Sequence, residues 1–152
     1  MLDPTDQRIL EALIEDSRIS LKSLAQLAGL SSPAVAERVR RLEKSGVIRA
    51  FTVDLDPQAL GFTLKAIVRI KPFAGKMHIL EKLLQSIPEV CECDKVTGDD
   101  CYVARLCASS IEHLEEILDR IGDKAETNTS IVKSQPVRRR SPPLTVKSHA
   151  KE

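Results

Sequence analysis

The chain has 152 residues, 42% of them apolar and 30% charged, with a formal net charge of +1. That is the composition of a folded, soluble protein rather than a disordered one, and a near-neutral total leaves the question of a nucleic-acid partner to local charge. Aromatic residues make up 3% and Trp is absent, which argues against base stacking on aromatic platforms and leaves Leu, Ile, Val and Ala to build the core.

Asp3-Pro4 has the chemistry of a helix start, a capping carboxylate before a proline at the first helical position. Ile9, Leu10, Leu13 and Ile14 then recur on one helical face. A second helix is predicted from Ser20, with Leu21, Leu24, Ala25 and Ala28 inward and Gly29 as its stop. A third begins at Ser32-Pro33, turns Val35, Val39 and Leu42 inward, and ends at Gly46. Past Gly46 the period becomes two. Phe51, Val53 and Leu55 alternate with Thr52 and Asp54, which predicts a strand, and DPQALGF at 56–62 is turn-rich.

Residues 63–136 read β-α-β-β-α-β. The strands are TLKAIVRIK, VCECDKV, CYVARLCA and TNTSIVKSQ; between them lie amphipathic helices carrying Met77–Ile87 and Ile111–Ile121. Two βαβ units joined by a hairpin give the ferredoxin-like arrangement, with helices on one face of the sheet. Val68, Ile70, Val103 and Cys107 do not alternate cleanly with polar residues, so the other face is expected to meet a partner. The predicted fold class is α+β. A winged helix-turn-helix unit over 1–50 precedes a strand and linker over 51–62, a βαββαβ unit over 63–137 and a basic, flexible tail over 138–152. No apolar run approaches a membrane span, the start does not resemble a signal peptide, and the expected location is the cytoplasm, where the four Cys would be reduced.

The stretch SSPAVAERVRRLEKSG carries the most chemistry. On a helix, Ser32, Ala34, Glu37, Arg38 and Arg41 project outward, with Arg40 and Lys44 to the side. Small residues at its start, Ser31 among them, let the backbone approach a major groove, and free N–H groups there can meet phosphate. The helix before it and the AGLS turn complete a helix-turn-helix. Arg49, on a wing-like edge, is placed for a phosphate. An ordinary solvated face, with Glu37 and Arg41 as an i,i+4 pair, would look similar.

With these elements in order, LDPTDQRILEALIEDSRISLKSLAQLAGLSSPAVAERVRRLEKSGVIRAF, DPQALG and VTGDD together resemble the Lrp/AsnC family of transcriptional regulators, over residues 2 to about 137. The resemblance implies a DNA-reading domain followed by an effector-sensing and oligomerising domain. It also implies homodimers assembled into higher even-numbered rings, an octamer being the expected form, and double-stranded DNA as partner. It places a small-molecule effector, an amino acid, between dimers at the hairpin Thr97, Gly98, Asp99, Asp100 and Cys101. The other wall would come from Ser130, Ile131 and Val132 of another subunit. A zwitterion needs acceptors for its ammonium and donors for its carboxylate. Gly98 offers an unshielded N–H, Thr97 a hydroxyl, and Asp99 and Asp100 charged acceptors. The sequence departs from the common family form in having Cys101, not Asp, directly before Tyr102. Either Asp100 takes over the role, the ligand differs, or VTGDDCY is a plain turn whose Asp side chains cap their own backbone.

Cys91 and Cys93 fall on one face of a predicted strand, and a hairpin turning at 98–100 sets Cys91 opposite Cys107, as a redox pair or soft-metal site would require. No P-loop, dinucleotide fingerprint, HExxH or nucleophile elbow is present, so neither catalysis nor a cofactor or metal is predicted. The run Arg138–Arg140 either adds sequence-independent phosphate contacts or is solvated. The expected function is an effector-responsive DNA-binding regulator; the alternatives are a nucleoid-organising protein and a thiol or metal sensor.

Overall fold

The computed structural model describes residues 2–145. They divide into two compact units: one comprises the chain up to Val53 together with the segment from Arg138, the other Asp54–Val137.

The first unit is built on α1 (Pro4–Glu15), α2 (Leu21–Ala28) and α3 (Ser32–Lys44). Each starts on a side-chain cap. Asp3 accepts the Asp6 N–H at 2.7 Å, Ser20 that of Ser23 at 3.0 Å and Ser31 that of Ala34 at 3.4 Å. α2 ends where Gly29 turns left-handed at φ 67°, and the Gly29 and Leu30 N–H groups return to Gln26 and Ala25, a Schellman closure. The core is Ile9, Leu10, Leu24, Ala25, Ala28, Val35 and Leu42. Leu21 and Ile14, expected inward, are half exposed. They sit in the first turn of α2 and the last turn of α1, beyond the stripe that three short helices can cover.

Two other expectations are corrected. Residues 51–55 pair with nothing among the described residues and form no strand, nor does the stretch around Arg49. Phe51, Val53 and Leu55 stay exposed; alternation makes a strand only where a second strand satisfies its backbone groups. The expected flexible tail is not free over 138–145, because Leu144 packs against the helical core. Residues 146–152 of that tail lie outside the described residues.

The second unit runs β1 (Leu64–Pro72), α4 (Met77–Ser86), β2 (Val90–Lys95), β3 (Tyr102–Ala108), α5 (Ile111–Gly122) and β4 (Ala125–Ile131). The sheet order is β2-β3-β1-β4, every pair antiparallel, as the split βαβ pattern requires. Ala66, Val68, Ile70, Tyr102, Ala104 and Leu106 turn toward the helices and pack on Leu80, Leu84, Leu114, Ile117 and Ile121. Val68 and Ile70 therefore belong to the core, not to the open face. By the strand register the open face carries Lys65, Ile67, Arg69, Val103, Arg105 and Cys107, a mixture of apolar and basic groups. The β2–β3 register shifts between Val90 and Glu92, so Cys91 is a bulge residue. That extra residue separates Cys91 from Cys93: Cys93 pairs with Ala104, while Cys91 approaches Cys107 on the open side.

Candidate nucleic-acid interface and effector site

On α3, Val35 and Leu42 are wholly buried, and Glu37, Arg40, Arg41 and Lys44 lie on the exposed side. Ser31 is exposed at the helix start, with Ser32 and Ala34 half-buried. Arg38 does not project outward. Its guanidinium reaches across to α1, donating to Asp3 and, at 2.8 Å, to Asp6. Arg41 donates to both oxygens of Asp6, at 3.1 and 3.0 Å, while keeping a 58% exposed side chain. The Arg38 hydrogen bond, helped by the capped Asp6 N–H, holds the Asp3 carboxyl below the ordinary carboxylate range. The bonds to Asp3 and then Asp6 push the Arg38 guanidinium pKa up. Asp6 is itself buried, so two arginines converge on one carboxylate inside the unit. Arg40 pairs with Glu37 at 2.7 Å with both side chains in water, a weak link that a phosphate can displace. Lys44 and Arg49 are exposed. The reach of Arg38 and Arg41 to α1 is the feature that local spacing misses; Asp3 is legible as a helix cap, but nothing local marks Asp3 and Asp6 as partners for arginines more than thirty residues away.

The hairpin between β2 and β3 is fixed at its base and open at its tip. At the base, the Tyr102 hydroxyl donates to Glu81, and Lys95 reaches the same carboxylate at 3.1 Å with its ammonium 5.6 Å from the Tyr102 ring centre. Tyr102 and then Lys95 draw the Glu81 pKa down, while burial and then Glu81 push that of Tyr102 up. At the tip, Val96 donates to the Cys101 carbonyl and Tyr102 to that of Asp100, both at 2.7 Å. The second bond closes a three-residue turn on Cys101, which has φ 61°. A non-glycine residue in that conformation is strained, on the order of 1–3 kcal/mol. Gly98, at φ 111°, makes the other turn that a side chain would resist. Thr97 and Asp99 are exposed, and Asp100 lies 3.8 Å from Arg69, which donates to Asn128 at 3.0 Å.

Ser130, Ile131 and Val132 are not brought to this tip within one chain. Tyr102 stands opposite Ile70 and through it Thr127, whereas Ser130 stands opposite Ile67 and Ile131 opposite Ala66. The two sets are separated by two strand spacings and three residues, roughly 10 Å across and 10 Å along. Arg69 and Asn128, which sequence reasoning missed, are the side chains that do reach Asp100 and Arg69 respectively. The signal was an arginine alternating within an apolar strand.

The Cys91 and Cys107 sulfurs lie 3.7 Å apart. Cys91 is exposed and Cys107 buried. Burial, then the contact with Cys91, pushes the Cys107 thiol up to about 11. Among the described residues no cluster of three or more His, Cys, Asp or Glu side chains could hold a metal. No helix there is long and apolar enough to cross a membrane.

A capped three-helix unit with a basic helix on its surface, joined to a βαββαβ unit with an open hairpin, defines a DNA-binding regulator with a sensing domain. Residues 2–49 match the family model for winged helix-turn-helix DNA-binding domains, and residues 65–142 that for the Lrp/AsnC ligand binding domain. The chain belongs to the Lrp/AsnC family of transcriptional regulators. It is 35% identical over 122 residues to the HTH-type transcriptional regulator FL11 of Pyrococcus furiosus, covering 80% of this chain and 81% of that one. To LrpC of Bacillus subtilis it is 32% identical over 134 residues, 88% and 93% of the two chains. The solved structure of B. subtilis LrpC superposes with a TM-score of 0.86 at 31% identity, over 91% and 99% of the chains. A feast or famine regulatory protein from M. tuberculosis, complexed with L-methionine, gives 0.86 at 34% identity, over 93% and 99%. These relatives are named as regulators, not enzymes.

Proposed function

We propose that the chain acts as a homodimer that sets two α3 helices into successive major grooves of duplex DNA and responds to an amino acid bound at the β2–β3 hairpin. One observation carries the first half. α3 has one face turned into the core, with Val35 and Leu42 buried and Val39 partly so, and the other, with Glu37, Arg40, Arg41 and Lys44, open to a partner. Ser31, Ser32 and Ala34 keep its N-terminal end slim enough for close approach, and Arg49 supplies a flanking phosphate contact. Arg38 acts from behind, holding α3 on α1.

The unpaired stretch Phe51, Val53, Leu55 supports the dimer, since a second copy offers a matching antiparallel strand and shields the same apolar groups. Two-fold symmetry then spaces the α3 helices about one DNA turn apart. Further dimers assemble into an even-numbered ring, an octamer in the expected form.

For the effector, Asp99 and Asp100 are the ammonium partners, with Thr97, the Gly98 N–H and the Cys101 backbone around them. Ser130, Ile131 and Val132 of another subunit close the site. Asp100 stands in for the carboxylate that Cys101 lacks, and Arg69 offers the effector carboxylate a cation. The methionine complex of the M. tuberculosis relative supports an amino acid as the ligand class. Footprinting tests the DNA half: two discrete half-sites one turn apart are expected, whereas long periodic protection favours a nucleoid-organising role. A thermal-shift screen of the twenty amino acids tests the other half, because a ligand of the native state raises the melting temperature.

A thiol-responsive reading has an observation of its own, the 3.7 Å between Cys91 and Cys107. With peroxide as oxidant, the exposed Cys91 sulfur gives up its proton, attacks one oxygen and becomes a sulfenic acid, while the hydroxide that leaves takes up that proton as water. The Cys107 sulfur then displaces a second water, so that two thiols give one disulfide and two protons and two electrons pass to peroxide. Two thiols lost per chain on mild peroxide treatment, with DNA affinity changed in the native protein and not in Cys91→Ser, is the expected result. Unchanged thiol counts dismiss it.

A further inference from the structure

The first unit is short of free cations. Over residues 2–53 it carries eight Lys and Arg against seven Asp and Glu. Arg38 is tied to Asp3 and Asp6, Arg41 shares the Asp6 carboxylate, and Arg40 must leave Glu37 before it can meet a phosphate. Phosphate contacts supply most of the affinity of a DNA-binding domain, so a net charge of +1 is thin for a protein that must hold a duplex. Arg138–Arg140 raise it to +4 if they stay with the unit.

The structure holds them there. Leu144 is partly buried against the helical core, and the preceding Ser141, Pro142 and Pro143 run along the same groove of α1 and the 47–52 segment. Arg139 and Arg49 both line that groove. Two consecutive prolines fix φ and favour an extended backbone, which lowers the entropy lost when the segment settles. Arg138, Arg139 and Arg140 are exposed and form no ion pair among the described residues.

We propose that residues Ser141–Leu144 clip the C-terminal segment onto the helix-turn-helix unit, so that Arg138–Arg140 and Arg49 form a second DNA-contacting surface for the phosphate backbone beside the groove that α3 enters. This surface reads charge and not sequence. It rests on the DNA-binding reading above and adds to it a part that the recognition helix does not contain.

The test is a salt titration of duplex binding by fluorescence anisotropy, on a footprinted site and on a random duplex of equal length. In R138Q/R139Q/R140Q the slope of log affinity against log salt should fall by about 0.9 for each arginine that meets a phosphate, equally on both duplexes. Leu144→Asp, and separately a chain ended after Ser141, keep all three arginines but remove the anchor. Both should lose slope in the same direction, and trypsin should cleave at Arg138–Arg140 faster than in the native protein. An unchanged slope in the triple variant overturns the proposal. So do anchor variants with native slope, whatever their trypsin sensitivity, since the arginines would then meet phosphate without the clip. A native protein that binds neither duplex overturns the DNA-binding reading as well; one that binds both, with variants unchanged, overturns only this surface.

Discussion

α3 and the β2–β3 hairpin are both densely charged, and they hold their charges in opposite ways. On α3, Arg38 and Arg41 are tied to Asp3 and Asp6 of α1, partners 32 and 35 residues away along the chain. At the hairpin the base is tied through Tyr102, Glu81 and Lys95; at the tip Asp99 is exposed and Asp100 half-exposed, with Arg69 3.8 Å from Asp100. A helix that must match a groove of fixed dimensions gains from side chains arranged in advance, because less ordering remains at the moment of binding. In the proposed effector role, a turn that takes up and releases a small ligand gains from polar groups left available, and the strained backbone at Cys101 is of the kind found at ligand sites.

Asp6→Ala should break this contrast hardest. It removes the carboxylate on which two arginines converge, and the first unit should lose about 2–3 kcal/mol, read as a lower denaturant midpoint for its helices. Duplex affinity should fall in the same variant as α3 loosens. Asp100→Ala is the counterpart at the hairpin. Its stability should stay within about 0.5 kcal/mol of the native protein, while any amino-acid-induced rise in melting temperature disappears. A retained rise would remove Asp100 from the ligand site.

Acid sharpens the comparison further. Asp3 and Glu81 both titrate lower in the folded protein than their ordinary values. Their stabilising effect is therefore complete above the unfolded carboxylate pKa of about 4 and is lost as pH falls through the depressed folded values. Between pH 5 and 7 neither group should change the melting temperature; below about pH 4 both units should weaken. Asp3→Asn should flatten the acid limb of the first unit only, and Glu81→Gln that of the second only.

What the sequence disclosed followed from distance along the chain. Asp3, Ser20 and Gly29 act on backbone three to five residues away, so their roles as caps are written locally. The two βαβ periods and the Cys91–Cys107 apposition follow from one hairpin. Arg38 looked like an outward residue because helical spacing gives an angle around the axis and not the neighbour that waits there. The bulge at Cys91 slips the register by one, which sends Cys91 and Cys93 to different faces. No periodicity announces that slip. Phe51–Leu55 carry a strand pattern for which the described residues offer no second strand, and the expected pairing of Ser130–Val132 with the hairpin is not assembled within one chain.

The smallest effect on the fold is expected at Arg40, and it separates the two uses of charge on one helix. Arg40 bonds only to Glu37, three residues away, with both side chains more than 60% exposed. Such a pair contributes a few tenths of a kcal/mol at most, so Arg40→Ala should leave the denaturation midpoint unmoved. If the outer face of α3 meets DNA, the same change should still weaken duplex binding, by roughly tenfold for one charge-assisted contact of about 1.4 kcal/mol. Arg38→Ala should do the reverse in proportion, lowering stability first and affinity as a consequence. A fall in stability for Arg40→Ala with affinity intact would mean that this face of α3 packs against protein, and the helix would have to be turned around in its proposed role.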